Sequence, residues 1–167
     1  IKRIPDIVKA FKIISEEIDC KLSLMGSGPE RFEAEKMVKN LGISESVEFL
    51  GNVKNVEEVL GRSDLFLLPS EDESFGLAAL EAMSCEVPVV ASDVGGLKEL
   101  VSHGVDGYLI GVGDVEALAQ YSLRILQDPR LREEFGRNAR QKVLEKYTPD
   151  KIVPKYEDLY KETLKEK

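Results

Sequence analysis

The sequence predicts an α/β protein organised as a doubly wound parallel sheet of Rossmann-like type. Short apolar runs alternate with segments of helical periodicity along nearly all of the 167 residues, and two of those runs end at a glycine, Gly26 and Gly51. Strands separated by helices form βαβ units, and right-handed crossovers then place helices on both faces of the sheet. Because no repeat or linker interrupts this pattern, we predict one domain over residues 1–167.

The first half of the chain contains three predicted strands. Apolar residues recur at helical spacing over 5–17, and a strand follows over 21–25. Pro29 suits the first turn of a helix over 29–41, which Gly42 would end. A strand over 47–50 and a short helix over 56–60 come next. Four successive apolar residues in the strand over 64–69 indicate burial on both faces.

The second half alternates in the same way and ends in charged helices. A helix over about 75–85, a strand over 87–91, a short helix over 97–102 and a strand over 107–110 are expected. Asp114 should cap a helix reaching 127, and amphipathic helices over 130–146 and 150–165 should pack across the sheet edge. The first helix has no strand before it, so we expect that a first strand, central in the common doubly wound order, lies upstream.

Composition narrows the classes of function. A net charge of −8 and a pI of about 4.9 argue against a nucleic-acid partner, while a helix N-terminus could still bind a small anion. No apolar run approaches the roughly 20 residues of a membrane span, and no targeting signal is visible, so a cytoplasmic location is expected. The sequence is also compatible with a homo-oligomer. Cys20 and Cys85 are expected to be reduced thiols, and His103, the single histidine, gives no metal cluster.

The most informative segment is residues 69–83, which leaves a buried strand and enters a helix. Ligands of open α/β sheets bind beyond the carboxyl ends of the strands. The backbone N–H groups of Phe75, Gly76 and Leu77 are therefore predicted to face a phosphate, and Gly76 would permit close approach. Glu73 and Glu81 are eight positions apart, up to about 12 Å along a helix. Because glycosidase carboxylates lie closer together, this spacing favours two glutamates that bind opposite ends of a long ligand. The simpler alternative is that both are acidic residues favoured near a helix start by the helix dipole.

Two further glycine loops follow predicted strands. Gly95 and Gly96 either bring backbone towards the same crevice or only form a tight turn. Gly26 and Gly28 begin a dinucleotide fingerprint, but Arg31 stands at its third glycine position. A nicotinamide or flavin oxidoreductase is therefore disfavoured.

Taken together, these motifs resemble family 4 of the retaining glycosyltransferases. The resemblance rests on Glu-x7-Glu with Ser-Phe-Gly between the glutamates, Glu-Ala-Met before Val-Pro-Val-Val, Gly-Ser-Gly-Pro-Glu, Phe-Leu-Gly, Asp-Val-Gly-Gly and Gly-Val-Asp-Gly-Tyr-Leu, in the right order. It implies the GT-B fold, in which two Rossmann-like lobes face a cleft. This chain resembles the C-terminal, nucleotide-sugar-binding lobe, so the N-terminal acceptor lobe of the same enzyme would be its missing partner.

The resemblance also implies roles for particular residues. Glu81 would accept hydrogen bonds from the ribose, Glu73 would contact the donor sugar, and Lys2 would neutralise the diphosphate, unless Lys2 is only a surface lysine at a helix start. Glu73 and Lys2 are thus the implied catalytic residues. The other implied donor-binding residues lie in three loops, with the base near the second: Gly26; Gly51, Asn52 and Val53; Ser74, Phe75, Gly76 and Leu77.

The implied reaction transfers a sugar with retention of anomeric configuration and releases a nucleoside diphosphate, with no metal or other cofactor. The chain is similar to bacterial members that transfer N-acetylglucosamine from UDP to L-malate, through Lys-Arg-Ile-Pro-Asp-Ile-Val near the start and Lys-Ile-Val near the end.

The sequence departs from the family at Glu86, where glycine usually ends the helix. Glu86 would therefore bear a steric penalty, or the helix would end differently. The isolated lobe is expected to bind donor without turnover. The alternative is a non-catalytic, flavodoxin-like α/β binding or regulatory domain.

Overall fold

A computed structural model describes residues 1–165, so the last two residues of the predicted domain lie outside it. The predicted alternation of strands and helices is confirmed. The described residues form eight α-helices, five strands and one unpredicted 3-10 turn at Ser44–Ser46: α1 Ile4–Glu17, β1 Leu22–Met25, α2 Arg31–Asn40, β2 Val47–Gly51, α3 Val56–Leu60, β3 Phe66–Leu68, α4 Leu77–Ser84, β4 Val89–Ser92, α5 Leu97–Leu100, β5 Gly107–Ile110, α6 Val115–Leu126, α7 Pro129–Lys146 and α8 Pro149–Lys165.

The strand pairs are all parallel, as predicted, but within the described residues the strands form two sheets rather than one. β1 pairs with β2, and a second sheet has the order β3-β4-β5. All four residues of β4 are buried, because that strand has a neighbour on each side. In contrast, the apolar residues of β1 and two of the three in β3 are only half-buried. Both faces of β3 are nevertheless covered, as expected, because Phe66 and Leu68 pack in one apolar cluster and Leu67 packs against another. The strand is only half-buried because one of its edges has no paired strand among residues 1–165.

Helix α1 lies across both sheets and joins them. Val8 and Phe11 belong to an apolar cluster that receives Leu24 of β1. Ala10 and Ile14 belong to a second cluster that contains Val90 of β4. One helix face thus packs on strands of both sheets, which is why the two sheets behave as one layer.

Helices α7 and α8 differ in their packing. Phe135 and Ala139 of α7 are buried in the two clusters on either side of the second sheet. On α8, by contrast, Tyr156 and Leu159 are 57% and 55% exposed. The prediction that both helices pack across the sheet edge is therefore wrong for α8, whose apolar residues find few partners among the described residues.

Two local expectations concern helix ends. Helix α2 begins at Arg31, whose N–H donates to the carbonyl of Gly28, so Pro29 lies in the preceding turn and not in the helix. Of the two outcomes left open for the end of α4, the structure shows the strained one, with Glu86 at a φ of 63°. The Glu86 N–H donates to the Met83 carbonyl, and the Val87 N–H donates to the Ala82 carbonyl. These two bonds are a Schellman motif, with Glu86 at the left-handed position that glycine normally takes.

Candidate functional site

The segment before α1 and the loop after β3 meet at an ion pair. The Lys2 ammonium contacts the Glu73 carboxylate, and Ser70 Oγ lies 3.5 Å from the same carboxylate oxygen. The Glu73 side chain is 17% exposed, whereas that of Lys2 is 53% exposed. The structure therefore brings together the two residues that the resemblance named as catalytic, although 71 positions separate them. About half of the Lys2 side chain remains accessible to solvent.

The same segment is fixed by Arg3, which sequence reasoning missed. Arg3 Nε donates to Asp6 Oδ2 at 2.5 Å, and Nη1 donates to Glu71 Oε1 at 2.6 Å. These hydrogen bonds, the Asp6 bond first, raise the pKa of the Arg3 guanidinium above its ordinary value. The Glu71 N–H donates to the Ile1 carbonyl at 3.0 Å. Residues 1–3 are thus held along the loop that carries Glu73.

Gly95 and Gly96 pack directly against that loop. A Cβ at Gly95 would lie 2.0 Å from the Glu73 carbonyl oxygen, and one at Gly96 would lie 2.6 Å from the Phe75 Cα. The Gly96 N–H donates to the Glu73 carbonyl at 3.0 Å. Gly95 and Gly96 also form a tight turn, closed by the Leu97 N–H donating to the Val94 carbonyl at 3.1 Å, so both interpretations left open by the sequence describe these glycines. Any side chain here would displace the Glu73 loop.

The start of α4 presents backbone N–H groups beside Glu73. Gly76 precedes the helix with a φ of 93°, and the first intrahelical bond runs from Leu80 N–H to the Gly76 carbonyl. The N–H groups of Leu77 and its two successors thus have no partner within the helix, as at every helix start. Ser74, Phe75 and Leu77 are exposed at this end. Helix N-termini of this kind bind anions.

Glu81 lies one turn further along α4, and its side chain is exposed. The Phe75 ring makes an edge contact with Tyr147 at a centroid distance of 5.7 Å. Burial, followed by the charges of Glu99 and Asp106, raises the pKa of the Tyr147 hydroxyl. Tyr147, at the end of α7, therefore packs against the loop that carries Phe75. No local sequence pattern predicted this contact.

The remaining predicted residues lie at the carboxyl ends of β1 and β2. The Gly26 N–H donates to the Gly51 carbonyl at 2.7 Å, and Ser27 Oγ donates to Asn52 Oδ1 at 3.1 Å. Gly26 and Asn52 are exposed, and Val53 is half-buried. Because β1 and β2 are parallel to each other, these two loops open at the same edge of their sheet.

No group of three or more His, Cys, Asp or Glu side chains in residues 1–165 is arranged to hold a metal ion. Within the same residues, no helix combines the length and the apolar character that a membrane crossing requires.

Comparison with known families decides the affiliation of this chain. The profile of the family described as "Glycosyl transferases group 1" matches residues 1–142. The chain belongs to this glycosyltransferase family. The match favours glycosyl transfer over the flavodoxin-like, glycosidase and oxidoreductase alternatives, and it agrees with the resemblance of the sequence motifs.

Among curated relatives, the N-acetyl-alpha-D-glucosaminyl L-malate synthase of Bacillus anthracis is 46% identical over 166 residues, which cover 99% of this chain and 44% of that enzyme. The capsular polysaccharide biosynthesis glycosyltransferase CapM of Staphylococcus aureus is 30% identical, with 99% of this chain and 44% of CapM covered. The chain therefore spans less than half the length of these relatives, and the covered part of the synthase corresponds to a C-terminal lobe.

Solved structures give the same fold. TarM of Staphylococcus aureus, determined with UDP and α-GlcNAc-glycerol, matches with a TM-score of 0.89 at 26% identity, covering 95% of this chain and 33% of TarM. Sucrose-phosphate synthase of Thermosynechococcus elongatus matches with a TM-score of 0.91 at 31% identity, covering 99% and 43%. These neighbours are GT-B glycosyltransferases, so this chain of the group 1 family has the predicted Rossmann-like lobe of that fold.

Proposed function

We propose that this chain is the donor-binding half of a retaining glycosyltransferase that uses UDP-N-acetylglucosamine and glycosylates a small acceptor, with L-malate favoured over a glycan. The family membership supports sugar transfer, and the identity of 46% to the Bacillus anthracis synthase supports this donor and acceptor. The observation that carries the proposal is the Lys2–Glu73 pair beside the free N–H groups of α4.

The proposed chemistry uses charges that the chain itself supplies. As the bond from the anomeric carbon to the diphosphate breaks, negative charge develops on the leaving phosphate oxygen. The Lys2 ammonium and the α4 N–H groups would stabilise this charge in a fixed geometry. We propose that no metal or other cofactor is needed, and the test is UDP affinity measured with and without a chelator.

The carboxylates would recognise hydroxyl groups rather than attack the sugar. Glu73, held by Lys2 and Ser70, would accept hydrogen bonds from hydroxyls of the donor sugar. Glu81, exposed one turn along α4, would accept those of the ribose. Gly26 and the loop of Gly51 to Val53, which the Gly26 N–H joins through its bond to the Gly51 carbonyl, would surround the base.

The unpaired strand edges support a longer enzyme. Met25 of β1 packs against the apolar cluster that contains Leu68 of β3, and among residues 1–165 β1 and β3 each have one edge without a paired strand. Cys20, just before β1, contacts both clusters next to α1. We propose that one parallel strand from a preceding segment pairs with both edges and that an acceptor-binding lobe accompanies it.

The test is calorimetric titration of this chain with UDP and with UDP-N-acetylglucosamine, repeated on Glu81→Ala. Hydrogen bonds to a charged group contribute about 1.5–3 kcal/mol, so the variant should bind roughly 10- to 100-fold more weakly. Glu116→Ala is the control, because Glu116 is likewise an exposed glutamate on a helix, α6. Unchanged affinity in Glu81→Ala would remove the ribose from α4 and refute the assigned site.

Acceptor choice is tested on an enzyme that includes the preceding lobe. Such a protein should form a glycosylated product from UDP-N-acetylglucosamine and L-malate, detected by mass spectrometry. Product from a glycan acceptor but not from L-malate would reject the small-acceptor part of the proposal and leave donor binding untouched.

A further inference from the structure

Arg3 has a backbone conformation that its residue type disfavours. Its φ of 55° and ψ of 47° are left-handed, a region that costs an L-residue about 1–2 kcal/mol relative to ordinary helical backbone. Its carbonyl accepts from Asp6 N–H at 3.0 Å, so this conformation also starts α1. Such strain persists only where surrounding contacts fix it.

The contacts that fix Arg3 reach three separate parts of the chain. Asp6 belongs to α1, and its side chain is 8% exposed; Glu71 belongs to the loop after β3. A Cβ at Gly113, in the loop before α6, would lie 3.2 Å from Arg3 Nη2. The guanidinium therefore has a defined place between a helix and two loops.

Glu71 connects this arrangement to Glu73. The Glu71 side chain accepts from Arg3, while its N–H donates to the Ile1 carbonyl, so two bonds hold residues 1–3 on the loop. Lys2 lies between these two anchored positions and contacts Glu73. The Lys2 side chain is 53% exposed, and so the ion pair with Glu73 needs this external support to keep one geometry.

We propose that Arg3 is a positioning residue, which acts through Glu71 to hold Lys2 against Glu73. Its consequence for nucleotide binding rests on the function proposed above, whereas the docking of residues 1–3 does not. A long, exposed lysine loses rotamer freedom when it binds a diphosphate, and a lysine already held in place loses less. Arg3 thus acts on the diphosphate through Lys2, without touching the ligand.

The first test needs no ligand. Glu71→Gln removes the ion pair but keeps the residue 71 amide, whose hydrogen exchange reports whether residues 1–3 are docked. We expect exchange of this amide to accelerate about tenfold and acetylation of Lys2 to become several times faster. Asp64→Asn is the control, because it removes the 3.0 Å contact of another half-buried arginine, Arg132, elsewhere in the fold. Unchanged exchange and acetylation in Glu71→Gln would overturn the proposal.

The second test measures coupling. UDP affinity is compared in the unmodified chain, Glu71→Gln, Lys2→Ala and the double variant. We expect Glu71→Gln to weaken binding about fivefold alone and to have no further effect once Lys2 is alanine. If the double variant instead loses affinity by the product of the two single losses, Arg3 and Glu71 act on the ligand independently of Lys2, and the proposal is refuted. If the unmodified chain binds no UDP, the proposed function fails, and exchange at residue 71 alone decides the docking.

Discussion

Replacement of Glu86 by glycine should stabilise the protein relative to replacement by alanine. Glu86 takes the left-handed position that ends α4, with a φ of 63°. The backbone is unable to relax, because a Cβ at Gly136 of α7 would lie 2.2 Å from the Glu86 carbonyl, so the two segments are already in close contact. The strain is therefore retained in the folded state.

The magnitude follows from three contributions to the free energy of unfolding. Removing Cβ relieves about 1–2 kcal/mol of left-handed strain. Glycine makes the unfolded chain more flexible, which offsets about 0.4–1 kcal/mol. The Glu86–Arg140 ion pair, 3.5 Å long with side chains 55% and 47% exposed, contributes at most about 0.5 kcal/mol. Both variants lose this pair, so Glu86→Gly should exceed Glu86→Ala by about 1 kcal/mol.

Urea unfolding followed by circular dichroism measures this difference, and thermal melts should separate the two variants by about 2–4 °C. Relative to the unmodified protein, Glu86→Ala should be slightly less stable and Glu86→Gly equal or slightly more stable. If Glu86→Ala is as stable as Glu86→Gly, the left-handed strain at this helix end is absent and the reasoning is wrong.

Three further predictions concern packing and reactivity. Gly95→Ala should lower the free energy of unfolding, measured by urea denaturation, by about 2–3 kcal/mol, because the new Cβ would overlap a neighbouring carbonyl. Gly28→Ala is the control and should change it by less than about 0.5 kcal/mol, because nothing lies within 4 Å of a Cβ at Gly28. Tyr147→Ala should lower it by about 2 kcal/mol through loss of the Phe75 contact, and Tyr147→Phe should stay near the unmodified value. Burial raises the pKa of the Cys20 thiol, so at pH 8 its alkylation, followed by mass spectrometry, should be slower than in urea-unfolded chain; equal rates would contradict that burial.

Local patterns were sufficient to predict most of the elements. The strand Gly107–Ile110 and the helix Val56–Leu60 lie where apolar runs and periodicity placed them. Helix α6 begins after Asp114, whose side chain accepts from Ala117 N–H at 2.9 Å, as its capping residue type predicts. Each of these features depends on neighbours within one or two turns, which is the range that periodicity and capping report.

The sequence predicted the loops of the candidate site, but it did not predict the residues that hold those loops in place. The motif around Glu73 and Gly76 identified where the ligand would be expected. Arg3 and Tyr147, in contrast, act across the fold, on Glu71 and Phe75, and no spacing within the chain links these partners. Their contacts arise only after the strands have aligned, so a pattern of neighbouring residues carries no signal for them.

The sequence by itself determined the alternation of strands and helices, the glycine loops at the strand ends and the conflict at Glu86, because each follows from local sterics and burial. Only the tertiary structure decided that the described strands form two sheets joined by α1, and that Lys2 meets Glu73. Strand partners and ion pairs between distant residues depend on which elements pack together. That choice is made by the two apolar clusters that contain Val90 and Leu68, and no single segment specifies either cluster.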